Sequence, residues 1–181
     1  AALVAALSIP FLLRLAPRLG AVDNTREPPV PRIGGLAIGF GLVGSLALVG
    51  LLFQPTGLTL REAAGSLWTI AAGGAGFLVL GVIDDVVPLR GRTKIAAQVV
   101  LALLVFLLGL RVELVSFFSG AIALGPVASA VITVLWLVGI ANAFNLLDGA
   151  DGVAGGSAFF AAAAVFIMSV TLGHPAVGLV A

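Results

Sequence analysis

Residues 126–152 read PVASAVITVLWLVGIANAFNLLDGADG. No charge falls between Pro126 and Leu147. A helix needs about 20 apolar residues to cross the hydrocarbon core, so this stretch is long enough to span. Proline at its first position suits a helix start. The far end carries Asn142, Asn145, Asp148 and Asp151, one polar side chain at every third position. A carboxylate near hydrocarbon is costly, and it is usually kept because it binds something. Each step of three turns about 300° on an ideal helix, so the four residues fan over about 180° and cannot share one face. Gly149 and Gly152 can release the helix and let the aspartates turn inward around a ligand. A solvated helix cap would explain one or two of the four, because Asn and Asp favour such positions. It would leave their spacing unexplained.

The same reading extends outward. The chain has 181 residues, 61% of them hydrophobic and only 9% charged. A soluble core of this size would need more polar cover, so the expected class is an all-α polytopic membrane protein. Uncharged runs predict six spans: Ala1–Leu13, Ile33–Phe53, Ala63–Ile83, Ile95–Leu110, Pro126–Leu147 and Gly152–Gly173. Pro10 should kink the first of them. Asp23–Arg32, Gln54–Glu62 and Asp84–Lys94 read as loops. Val112–Gly125 is β-branched, aromatic and glycine-containing, which suits a short hairpin or re-entrant piece. Residues 1–181 read as a single integral membrane domain. It opens and closes inside apolar runs, so it is expected to be incomplete at both ends. The net charge of +1 gives no field for nucleic acid, and the absence of cysteine excludes thiolate metal sites and disulfides.

If every span crosses, the loops alternate sides. Asp23–Arg32, Asp84–Lys94 and Asn142–Asp151 then share one face, with Arg14, Arg18, Arg26, Arg32, Arg90, Arg92 and Lys94. Only Arg61 and Arg111 remain for the other face. The positive-inside rule makes the first face cytoplasmic. Asp23, Glu27, Asp84, Asp85, Asp148 and Asp151 lie there too, so distant acidic turns are expected to converge. Glycines 35, 39, 73, 74 and 76 read as surfaces for close helix packing rather than as phosphate loops.

Asp84 and Asp85 are neighbours. Adjacent carboxylates repel, and a metal or a cationic partner relieves that. With no cysteine and one distant histidine, His174, the ligands on offer are oxygens, which favour a hard cation such as Mg²⁺. Lys94 is the single lysine, and it opens a helix. It can hold phosphate, as can Arg32 at the entry to the second span.

Three motifs carry a resemblance: Pro31-Arg32-Ile33-Gly34-Gly35; Gly81-Val82-Ile83-Asp84-Asp85 with Leu89 and Lys94; and Asn142-Ala143-Phe144-Asn145-Leu146-Leu147-Asp148-Gly149-Ala150-Asp151-Gly152. In this order they resemble the polyprenyl-phosphate N-acetylhexosamine-1-phosphate transferase family. The Pro-Arg-x-Gly-Gly form is similar to its WecA/TagO-like branch rather than to MraY-like members. The family is longer, so the chain resembles its N-terminal portion and is expected to be inactive alone. The resemblance implies transfer of a sugar 1-phosphate, with GlcNAc favoured, from a UDP-sugar to undecaprenyl phosphate, releasing UMP. It implies Mg²⁺, or Mn²⁺ in its place, and a bacterial plasma membrane with the active face cytoplasmic. It assigns Asp84, Asp85 and Asp148 to catalysis and Asp84 and Asn145 to the metal. Lys94, Arg32, Asn142 and Asp151 go to the substrates. A homodimer is left open.

Two other classes compete. A transporter would line a span with acids, whereas here the acids gather at span ends. A catalytically silent membrane partner is allowed by the chain length.

Overall fold

The computed structural model describes residues 2–23, 29–32, 34–52, 59–117, 120–147 and 153–172. Among them the chain order is α1 (Ala2–Leu19), β1 (Val22–Asp23), β2 (Val30–Pro31), α2 (Gly34–Leu52), α3 (Thr59–Val86), α4 (Gly91–Leu107), β3 (Leu114–Phe117), β4 (Gly120–Ala123), α5 (Pro126–Leu147) and α6 (Val153–Thr171). Each expected span has its helix. Trp68–Val86, Pro126–Leu147 and Val153–Thr171 are long and apolar enough to cross a membrane, and Gly34–Gly44 is a shorter apolar helix. Their surfaces are apolar and outward-facing, as at Leu135, Phe159 and Phe160, which are 67%, 68% and 73% exposed. Lipid solvates such surfaces and water does not, so the chain is an all-α polytopic membrane protein with two small ribbons.

Several boundaries differ from expectation. The first helix does not stop at Leu13 but runs to Leu19, with Arg14, Pro10 and Pro17 inside it. Its stop is Gly20, at φ 71°. There Gly20 N–H donates to the Pro17 carbonyl at 3.3 Å and Ala21 N–H to that of Ala16 at 3.0 Å. That is the paired closure of a helix ending on a left-handed glycine. Gly109, at φ 101°, ends α4 in the same way, with Gly109 N–H on Phe106 O and Leu110 N–H on Val105 O. The segment read as the loop Asp23–Arg32 is tied at its ends by a ladder, Val22 opposite Pro31 and Asp23 opposite Val30. Asp84–Lys94 is largely helical. Asp84 and Asp85 lie in the last turn of α3, and Lys94 lies in the first turn of α4. Only Val87–Arg90 connect them. Similarly, α3 begins at Thr59, inside the segment read as a loop to Glu62.

By proximity the chain falls into two compact units, residues 1–57 with 71–98, and residues 58–70 with 99–181. In the first, α1 packs along α2. Its core is Leu12, Ala16, Ala21 and Ala37, with Leu15, Val22, Leu36 and Val86 against it. Ala16 and Ala21 are the two residues brought together by the Gly20 turn, so the cap and the core form together. Gly39 is a true close approach, since a Cβ there would lie 2.7 Å from Leu78 Cδ2, and Gly44 stands equally close to Val4. The packing expected at Gly35 and Gly74 is not found, because both face open space.

In the second unit, the hairpin expected within Val112–Gly125 is present. Leu114 pairs with Ala123, Val115 with Ile122, Ser116 with Ala121 and Phe117 with Gly120. It is pinned to α5 by two hydroxyls one helical turn apart. Ser129 Oγ donates to the Val112 carbonyl at 2.6 Å, and Val112 N–H donates to Thr133 Oγ1 at 2.9 Å. Thr133 Oγ1 donates in turn to the Ser129 carbonyl at 2.7 Å. Both backbone polar atoms of one loop residue, Val112, are thereby satisfied by a helix face, as burial requires. Pro126 is the first residue of α5, and Ser129 N–H on the Gly125 carbonyl is its opening bond.

Candidate active site

The α3–α4 corner places charges where helix electrostatics disfavours them. Acids are stabilising near a helix N-terminus and bases near a C-terminus. Here α3 ends on Asp84 and Asp85 with no base in its last turn, and α4 opens with Arg92 and Lys94 and no acid in its first. The fold joins the two misplaced ends. Lys94 Nζ donates to Asp84 Oδ2 at 2.6 Å, with the lysine and aspartate side chains 16% and 21% exposed. Asp84 Oδ1 accepts the Leu89 N–H at 2.9 Å. One carboxylate therefore ties the end of α3, the connecting turn and the start of α4. A charge-assisted hydrogen bond is worth about 1.5–3 kcal/mol. An isolated surface ion pair is worth ~1 kcal/mol or less, and partial burial sets this one apart from that class.

Arg32, far away in sequence, belongs to the same compact unit as this corner. Its N–H donates to the buried Ala21 carbonyl at 3.0 Å, which fixes it just beyond β2. Val86, two residues after Asp84, packs on the core that contains Ala21. The Arg32 charge adds a weaker long-range pull on the Asp84 carboxylate than that of Lys94. The field of one motif is thus felt at the carboxylate of another. Asp85 is half-buried beside it in the same turn.

In the second unit, Asn142 and Asn145 ride on the last turns of α5, which ends at Leu147. Asn142 Nδ2 donates to the Val138 carbonyl at 2.7 Å, a bond back to its own helix, and Asn145 is exposed. Asp148 and Asp151 lie outside the described residues, so the expected convergence of Asp84 with Asp148 does too. Among the described residues, no three His, Cys, Asp or Glu side chains gather around one point. A cavity of about 420 Å³ under the hairpin is lined by residues that include Arg111, Glu113 and Ser129, and by none of the predicted site residues. The backbone N–H of Leu89 is a component that residue types alone do not reveal; Leu89 belongs to the quoted motif, but its side chain gives no sign of this bond.

The sequence profile of glycosyl transferase family 4 matches residues 67–181. The chain belongs to glycosyl transferase family 4. Among curated proteins, this family 4 chain is 33% identical over 171 residues to the "Probable undecaprenyl-phosphate N-acetylglucosaminyl 1-phosphate transferase" of Bacillus subtilis (strain 168), covering 91% of the chain and 45% of that protein. It is 34% identical over 166 residues to the "Decaprenyl-phosphate N-acetylglucosaminephosphotransferase" of Mycobacterium tuberculosis, covering 87% and 41%. The "Phospho-N-acetylmuramoyl-pentapeptide-transferase" of Desulforudis audaxviator is 30% identical over 197 residues, covering 95% and 58%. The family 4 chain spans less than half the length of the first two relatives. No solved structure matches it.

Proposed function

We propose that the protein transfers an N-acetylhexosamine 1-phosphate, GlcNAc 1-phosphate by preference, from its UDP-sugar to undecaprenyl phosphate, and releases UMP. This would be a first lipid-linked step of cell-envelope glycan synthesis. The observation that carries the reading is the half-buried Asp84–Lys94 ion pair at the end of a membrane helix. A lipid phosphate oxygen would attack the sugar-bearing phosphorus of the donor, forming one P–O bond and breaking the anhydride bond to UMP. The acceptor phosphate is largely a dianion at neutral pH, because its second pKa is ≈ 6. The harder task is bringing two anions together, and fixed cations such as Lys94 and Arg32 do that electrostatically. Asp84 holds Lys94 in place and orients it. Asp85 is then the neighbour able to accept a residual proton or to face a cation.

The donor set suits Mg²⁺. Each carboxylate oxygen of Asp84 uses one lone pair in the corner and keeps another, and Asp85 adds its own. Mg²⁺ commonly joins one or two carboxylates to substrate phosphates, and it supplies stabilisation of the charge developing on them. Asn145 is the further ligand in this reading, with Asn142, Asp148 and Asp151 on the nucleotide-sugar. The same reading places the active face in the cytoplasm of a bacterial plasma membrane.

The test is UMP release by the full-length protein in membranes, with undecaprenyl phosphate and a panel of UDP-sugars, with and without Mg²⁺. Asp84→Asn should insert normally and lose release; unchanged turnover would refute the site. Preference for UDP-MurNAc-pentapeptide would instead favour the second reading, which the pentapeptide-transferase relative supports at lower identity. Cysteines at Thr93 and Thr59 should label from opposite membrane faces, and labelling from one face would end the topological argument.

A further inference from the structure

The β3–β4 hairpin has a surface that neither water nor bilayer hydrocarbon accommodates. All four residues of β4, Gly120-Ala121-Ile122-Ala123, are exposed, on both faces of the strand. Antiparallel ribbons that face water carry polar residues on the outer face, and β4 has none. Across the ladder, Leu114 is 61% exposed and Ile122 58%. A lone two-stranded hairpin is marginal in water. Deep hydrocarbon is equally unsuitable, because the outer edges of a two-stranded ribbon leave N–H and C=O groups without partners. The boundary between acyl chains and headgroups satisfies both demands, offering apolar contact on one side and hydrogen-bonding groups on the other.

Position agrees with that boundary. The hydroxyl clamp fixes the hairpin to Ser129 and Thr133, at the N-terminal end of the membrane-crossing α5. Val127, in the first turn of α5, is 78% exposed and continues the apolar surface from helix to ribbon. At the hairpin base Arg111 Nε pairs with Glu113 Oε1 at 2.8 Å, with both side chains at least half exposed. Long arginine stems reach to headgroup level from apolar surroundings. Asn145 lies sixteen residues along α5 from Ser129, roughly 24 Å at the helical rise, so the hairpin belongs to the leaflet opposite the asparagine end.

We infer that the β3–β4 hairpin is an interfacial lipid-contact element, lying at the boundary between acyl chains and phospholipid headgroups of the leaflet entered by α5. The inference is independent of the transferase reading. The chain has no native cysteine, so Ile122→Cys can carry an environment-sensitive fluorophore in protein reconstituted into phospholipid nanodiscs. The expected result is blue-shifted emission, loss of quenching by aqueous iodide, and stronger quenching by lipids with a nitroxide near the headgroup than near the acyl terminus. Leu114→Cys on the facing strand should behave alike, which guards against a label that distorts one strand. Full iodide quenching at both sites would place the ribbon in water and overturn the inference. Stronger quenching by the deep nitroxide would make it a re-entrant element, and protection from every quencher would make it a protein contact. Either outcome would also overturn the inference.

Discussion

The α3–α4 corner and the α5–hairpin junction solve one problem with different chemistry. Each must satisfy loop backbone beside a membrane helix, and each does so with side chains from a helix end. At the hairpin the groups are neutral: Ser129 and Thr133 hold both polar atoms of Val112. At the corner the groups are charged: Asp84 holds Leu89 N–H and Lys94. A hydroxyl would have served for Leu89 at lower desolvation cost. Under the proposed function, the ion pair set against both helix dipoles makes the corner the place of chemistry and the junction its scaffold.

The contrast breaks most sharply at Lys94. Lys94→Met should lower UMP release about a hundredfold or more, in line with loss of a preorganised charge in a water-poor site. Lys94→Arg should recover part of that loss, and initial rates at saturating donor and acceptor measure both. If Lys94→Met kept wild-type turnover, the corner would be scaffold after all. Next in size, Thr133→Val should destabilise the protein by about 1–3 kcal/mol, the cost of leaving the Val112 N–H unsatisfied. Thermal unfolding in detergent reads that loss, and turnover per folded molecule should stay within the wild-type decade. Ser129→Ala should act in the same direction and combine non-additively with Thr133→Val, because both hold the backbone of Val112 and Thr133 also bonds the Ser129 carbonyl. The smallest effect belongs to Arg111→Ala. Its ion pair with Glu113 is about half exposed, so stability should shift by ~0.5 kcal/mol or less. A large loss of turnover there would blur the division drawn between the two regions.

The sequence made the helices legible because lipid imposes a simple rule: long uncharged runs become spans. All six expected spans coincide with helices, and the start of α5 at Pro126 matches to the residue. The misjudged ends have local causes. Charges at Asp84, Asp85, Arg92 and Lys94 look like loop residues to a hydropathy reading, yet helices project past the hydrocarbon and carry such residues in their end turns. The extension of α1 to Leu19 rests on Gly20 and on the Ala16–Ala21 contact, a tertiary signal that periodicity does not carry. At the site, residue types flagged Asp84, Lys94 and Arg32 individually. The meeting of Asp84 with Lys94 depends on how tightly the four-residue connection folds α4 back on the end of α3, which no motif announces.

The connection Val87–Arg90 is four residues long, and Pro88 stiffens it. A lysine that leaves its carboxylate for an incoming phosphate stays tethered, so the effective concentration of one partner at the other is high throughout. Partner exchange then needs only side-chain rotation. Under the proposed function, the corner would work as a latch that opens for each substrate anion and recloses after release, without a helix having to move.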